Sequence, residues 1–322
     1  MYTSIVVPLD GSEFGNCALP VALTLATRGN ASVHLVHVRP PVALPSEGLT
    51  GLREYDDPER ELRTNLMAMA GRLARARTLR VDAQFLDGPV VPALRAYFSD
   101  RQHDLVVMMT HGRGGLSRAW FGNVADGLIR HAPIPLLLLR RQTARLSDAT
   151  EPLFRRILLP LDGSVVAEQV LDHVLSLATP DVTVFVLLTV IAASHALEST
   201  AADPEGSAAR AHDERELWYL DRVADELRTN GALVETHVET HQQAAQGILD
   251  AADVHQVDLI ALSTHGRGSL SRLVHGSVAD TVVRGAPVPV LICRPEHLDS
   301  TSVLDAAHSA DPQPGLSMRL QT

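Results

Sequence analysis

A chain of 322 residues, 45% hydrophobic and only 4% aromatic, can bury two ordinary cores, so two domains are expected. A formal charge of -10 and a pI near 5.8 argue against a nucleic-acid backbone or an anionic membrane as the main partner. All 28 basic residues are arginine, which removes both a lysine-dependent P-loop and a Schiff-base mechanism.

Ser4 to Leu9 is a short apolar run that reads as a buried strand, and Asp10-Gly11-Ser12 after it reads as a turn and helix cap. Phe14, Cys17, Ala18, Val21, Ala22 and Leu25 then follow helical spacing, with Pro20 as a bend point. A second strand is expected over Ala31 to Val38, followed by an irregular arm with Pro40, Pro41 and Pro45 that could serve as a lid. Next come a helix from about Pro58 to Arg77, a strand over Val81 to Leu86, a short helix from about Val90 to Ser99, and strands over Asp104 to Met109 and Ile134 to Leu139. The same order repeats in the second half. Strands are expected at Ile157 to Leu161, Val182 to Val190, Leu233 to Thr240, Asp258 to Leu262 and Val288 to Cys293, with helices at about His212 to Thr229 and Gln243 to Val254. Asp162-Gly163-Ser164 copies the first turn, and Ala192 to Arg210 is the second irregular arm. Strands alternating with helices imply a parallel sheet with right-handed crossovers, and in such sheets ligands sit beyond the carboxyl ends of the strands.

Residues 1–141 and 155–295 therefore read as two tandem doubly wound α/β domains, each a five-stranded parallel sheet with helices on both faces. Residues 142–154 read as a polar linker, and 296–322, without apolar period, as a disordered tail. Each fifth strand is apolar and would leave an exposed edge alone, so the halves are expected to pair there as an intramolecular pseudo-dimer, with homodimerisation as a further option. No apolar run approaches the ~20 residues of a membrane-spanning helix, and MYTSIVVPLDGS lacks a charged leader. A cytoplasmic location without membrane or nucleic-acid partners is expected. Cys17 and Cys293 fit no metal or redox spacing and read as small buried hydrophobes.

The strongest signal is a glycine-rich turn that occurs twice. His111 to Arg140 aligns without a gap on His265 to Arg294, with 17 identities in 30 positions. Gly112, Gly115 and Gly266 let the backbone turn and a ligand approach closely, while Gly122 and Gly276 stand where a helix begins. Asn123 and Ser277 are good N-cap residues. Exposed N–H groups and the positive end of a helix dipole make such a start an anion site. A glycine loop can also merely turn the chain, but two copies in matched contexts favour the ligand.

A strand ending in Thr-His-Gly, nine residues, Gly-Asn or Gly-Ser, a helix, and Ala-Pro-x-Pro before an apolar strand resembles the nucleotide-binding motif of universal stress proteins. The resemblance covers about Thr3 to Arg140 and Arg155 to Arg294, and implies an adenine nucleotide alpha hydrolase-like fold and a stress-response regulatory module that binds ATP, with Mg2+. It places Asp10 and Asp162 against the nucleoside, the backbone of Val38 and Val190 at the adenine edge, and the glycine turns on the phosphates. The family's motif opens with one more glycine, in whose place stand Met109 and Ser263. Asn123 replaces the family's hydroxyl residue, so the second half is expected to be the better site.

Arg113 and Arg267, with Arg118 and Arg272, flank the turns and could donate to phosphate oxygens, although loop arginines are usually solvated. His111 and His265 could orient a phosphate or simply pack on their turns. His237, Glu239 and His241 alternate along one strand face as a potential metal trio, but the apolar opposite face makes a solvated surface the simpler account, and no metal is assigned. No pyrophosphatase loop, His-x-Gly-His motif or nucleophile elbow is present, so no catalytic residue is assigned either. The alternatives to nucleotide binding are a nucleotide-free interaction scaffold and, third, a weak ATPase.

Overall fold

The computed structural model describes residues 1–41, 58–100, 103–110, 123–140, 152–193, 207–263 and 277–294. The first half contains β1 (Ser4–Pro8), α1 (Glu13–Asn16), α2 (Leu19–Gly29), β2 (Ser32–Arg39), α3 (Pro58–Arg77), β3 (Val81–Asp87), α4 (Val90–Asp100), β4 (Leu105–Met109), α5 (Asn123–His131) and β5 (Leu136–Leu139). The second contains β6 (Arg156–Pro160), α6 (Val165–Glu168), α7 (Val170–Leu177), β7 (Val184–Ala192), α8 (Ser207–Thr229), β8 (Leu233–His241), α9 (Ala244–Val254), β9 (Leu259–Ser263), α10 (Ser277–Gly285) and β10 (Val290–Cys293).

Within each half all strand pairs are parallel. The halves join where β5 and β10 pair antiparallel, giving one ten-stranded sheet in the order β3-β2-β1-β4-β5-β10-β9-β6-β7-β8. Two short apolar edges, LLLL and VLIC, thereby satisfy each other's backbone groups. Because side chains alternate across a strand, the sheet presents two apolar faces. Ile5, Val7, Leu105, Val107, Leu137, Leu291, Leu259 and Ile157 build one core, which α2, α3, α7 and α8 cover. Val6, Val106, Leu136, Leu138, Val290, Ile292, Ile260 and Leu158 build the other, under α4, α5, α9 and α10.

Polar contacts cross the junction on both faces. Arg140 donates to the backbone oxygens of Val283 (2.7 Å) and Arg284 (3.2 Å) at the C-terminal end of α10, a favourable place for a cation. Arg284 in turn contacts Asp126 of α5 at 2.8 Å. On the opposite face the Tyr2 hydroxyl donates to the carbonyl of His173 at 3.4 Å, and Arg28 donates to Thr179 Oγ1 at 3.2 Å.

Several expectations change in detail. The helix after Ser12 is two pieces, because Pro20 lies in the first turn of α2, where its missing N–H costs nothing. Cys293 is buried, but Cys17, at the C-cap between those pieces, is only half-buried. Leu153 and Phe154, inside the span read as linker, are 2% and 0% exposed and belong to the core. The second arm is shorter than read, since β7 runs through Ala192 and α8 starts at Ser207. Residues 42–57, 194–206 and 295–322, which hold most of both arms and the tail, lie outside the described residues.

Candidate functional site

The Asp-Gly-Ser turn is built identically in both halves. Gly11 and Gly163 take φ of +80° and +75°, a left-handed conformation that favours glycine. Asp10 Oδ1 accepts from the Ser12 amide (3.0 Å) and hydroxyl (2.6 Å), and Ser12 Oγ accepts from the Gly15 amide at 3.0 Å to cap α1. Asp162 Oδ1 accepts from the Ser164 amide and hydroxyl at 3.0 and 2.6 Å, and Ser164 Oγ caps α6 through the Ala167 amide at 3.1 Å. One oxygen of each carboxylate thus organises the turn.

In the first half the turn opens on a cavity of about 470 Å³. Pro8, Leu9 and Asp10 from the end of β1, Val36, His37 and Val38 from β2, and Met108 and Met109 from β4 form its floor. Phe14 and Gly15 of α1, Val90 and Leu94 of α4, and Asn123, Val124 and Ala125 at the start of α5 form its walls. It lies where the strand order reverses between β1 and β4, the place a doubly wound sheet reserves for ligands. Its volume falls in the range of small-molecule pockets, roughly 300–1,000 Å³, and its mostly apolar lining with a few polar groups is of the same kind.

Asp10, Val38 and Asn123 all line this cavity. Asn123 and Ser277 are the first residues of their helices rather than N-caps, so each helix starts one residue earlier than read. Gly112, Arg113, Gly115, Gly122, Gly266, Arg267 and Gly276, with His111, Arg118, His265 and Arg272, lie outside the described residues. In the second half Asp162 opens the matching turn, Ser263 ends β9, and Val190 lies two residues before the end of β7. Gly247 of α9 lies against Val190, where an added methyl would come within 2.9 Å of its Cγ1. Ser263 Oγ is buried and has no hydrogen-bond partner among the described residues. Met109, at the equivalent place, is 5% exposed, and its side chain packs into the core while still lining the cavity.

His37 is the site residue that sequence reasoning passed over. Its Nδ1 lies 2.9 Å from the Leu9 carbonyl, which can only accept, so Nδ1 carries the proton. Its Nε2 lies 3.8 Å from Glu59 Oε1. Thr189 Oγ1 does the same work in the second half, donating to Leu161 O at 3.1 Å. The available signal was a polar side chain near the carboxyl end of an otherwise apolar strand. The alternating residues His237, Glu239 and His241, to which no metal was assigned, do not converge. His241 turns to Gln243 and Asp250, while His237 meets His255 instead.

A doubly wound α/β unit with a crevice at its switch point, present twice in one chain, is the class of protein that fold and site define. The chain belongs to the universal stress protein family, whose model matches residues 1–140 and 153–294. It is similar to universal stress protein Rv2005c of Mycobacterium tuberculosis, with 25% identity over 298 residues, 90% of this chain and 96% of that protein. Universal stress protein MJ0531 of Methanocaldococcus jannaschii is 28% identical over 144 residues, 44% of this chain and 84% of its own length. A crystal structure of a universal stress protein from Archaeoglobus fulgidus shares the fold, with a TM-score of 0.64 at 18% identity, over 90% of this chain and 98% of that one. No helix among the described residues is long and apolar enough to cross a membrane.

Proposed function

We propose that the protein is an adenine-nucleotide-binding regulatory module, taking ATP with Mg2+ in the crevice of one or both domains. The observation that carries this reading is the cavity of about 470 Å³ at the switch point, which gathers Asp10, Val38 and Asn123. The residues fit such a ligand in kind. Val36, Leu94 and Met108 offer apolar surface to a base, and Asp10 offers a carboxylate oxygen to a sugar hydroxyl. The start of α5, nine residues long, presents amide N–H groups and a dipole end suited to phosphate. Mg2+ would enter with the phosphates, since that ion is held largely by substrate oxygens and water. The duplicated turn extends the proposal to the second crevice, at Asp162, Val190, Ser263 and Ser277. The domains are taken as 1–141 and 153–295, joined by 142–152, and the location as cytoplasmic.

The test is calorimetry of the purified full chain with ATP and Mg2+, together with release of any co-purified nucleotide by denaturation. Val124→Trp fills the first cavity from the exposed start of α5 and should remove binding there, with circular dichroism unchanged. If the wild-type chain neither releases nucleotide nor gives binding heat, the interaction-scaffold reading replaces this one.

A further inference from the structure

We propose a divalent transition-metal site in the second half, formed by Glu235, His237 and His255. One ligand atom from each of the three residues lies within 4.8 Å of the others. Glu235 and His237 stand two apart on β8 and so share a face with Glu239, while His255 is the C-cap of α9. The two imidazoles pack with centroids 4.1 Å apart. Glu235 and His237 lie in the first five residues of β8, and His255 caps the end of α9.

Two observations bring ligand nitrogens and negative charge together here. The Nε2 atoms of His237 and His255 are both buried, and neither has a hydrogen-bond partner among the described residues. Each lies at ion-pair distance from a carboxylate, His237 Nε2 3.7 Å from Glu235 Oε2 and His255 Nε2 3.5 Å from Glu239 Oε1, so two imidazoles and two carboxylates already share one cluster. Imidazole and carboxylate donors at this spacing suit zinc, whose bonds of ~2.0–2.2 Å set neighbouring ligand atoms about 3.3 Å apart. A small rotation of the His237 ring, about one-third exposed, would narrow the difference.

The frame behind the ligands is already fixed. Arg156 of β6 grips both Glu235 oxygens, at 3.0 and 2.6 Å, and its Nε donates to the His255 carbonyl at 2.8 Å. A residue that ties one ligand on a strand to another on a helix end is the kind of support that orients metal ligands. The guanidinium is a like charge, but Glu235, Glu239 and the negative end of α9 outweigh it. The first half places Asp82 and Gln84 where Glu235 and His237 stand, so the site belongs to the second half alone.

The test titrates zinc alone into the full, metal-stripped chain by calorimetry, and repeats it for His237→Gln, His255→Gln and His241→Gln. One tight equivalent is expected, weakened about 100-fold or more by either of the first two changes, a loss larger than supporting groups cause, and kept by the third. In the wild-type chain zinc should also protect His237 and His255 from diethyl pyrocarbonate, read by mass spectrometry. That measurement holds even if a variant fails to fold. Wild-type affinity in the first two variants, no tight equivalent in the wild type, or no protection of these two histidines would each overturn the site. Since neither readout involves nucleotide, failure of the crevice proposal leaves this one standing.

Discussion

Leu137 of β5 and Leu291 of β10 are register partners in the antiparallel pair that joins the halves, and both are 0% exposed. An intramolecular junction of this kind replaces two sheet edges with one continuous core. Substituting Asn at both positions removes the packing of two leucines and buries two amides. The expected cost is at least the ~2–5 kcal/mol of a single buried leucine truncation, with the two changes non-additive because the residues are partners. Urea unfolding measures it, and small-angle scattering should show a larger radius as the halves separate. An unchanged midpoint and radius would show that the junction is held elsewhere.

Asp126 lies between Arg130 of its own helix and Arg284 of the other half, at 3.0 and 2.8 Å. The Arg130 hydrogen bond is the largest influence and, with that cation's charge and the contact to Arg284, holds the carboxyl below the usual value against the opposing effect of burial. A carboxylate lowered on folding adds stability that is present above its unfolded pKa, ~3.9, and is lost as pH falls through the lower folded value. Asp126→Asn should therefore lower stability at pH 7 by up to about 1 kcal/mol, a modest figure for a partly exposed group. The difference from wild type should vanish toward pH 2 in thermal melts.

Val124 and Val278 are the second residues of α5 and α10 and stand at equivalent places. Tryptophan at either should block its own crevice. Met109 takes up room beside the first cavity, while Ser263 leaves a small side chain in its place, so Val278→Trp is expected to remove the larger share of bound ATP. Calorimetric stoichiometry decides between them. A larger loss with Val124→Trp would reverse the ranking.

Phe154 is fully buried just before β6, and its carbonyl accepts from Thr183 Oγ1 at 2.8 Å. Phe154→Ala should cost ~3–5 kcal/mol, the scale of a buried aromatic truncation. A loss below about 1 kcal/mol, as for a surface substitution, would return the residue to the linker.

Local pattern carried most of the architecture. Strand alternation, the Asp-Gly-Ser turns and the duplicated glycine stretch are short-range features, and they were enough to place ten strands along the chain and to single out Asn123, while Asp10 and Val38 came from the family resemblance those features carry. Leu153 and Phe154 were misjudged because their neighbours are polar, and only the fold shows the core that covers them. Likewise, Leu137 facing Leu291 needs two distant strands to meet, though their apolar edges foretold it. The histidine cluster shows the limit most plainly. Period two along β8 correctly put His237 beside Glu239 on one face, but it also offered His241, which turns away to Gln243 and Asp250. His255 reaches His237 only because α9 runs back antiparallel to β8, so its last turn returns to the start of the strand. Spacing along a chain fixes which side chains share a face of one element, whereas which faces meet depends on packing between elements, and that is a property of the tertiary structure alone.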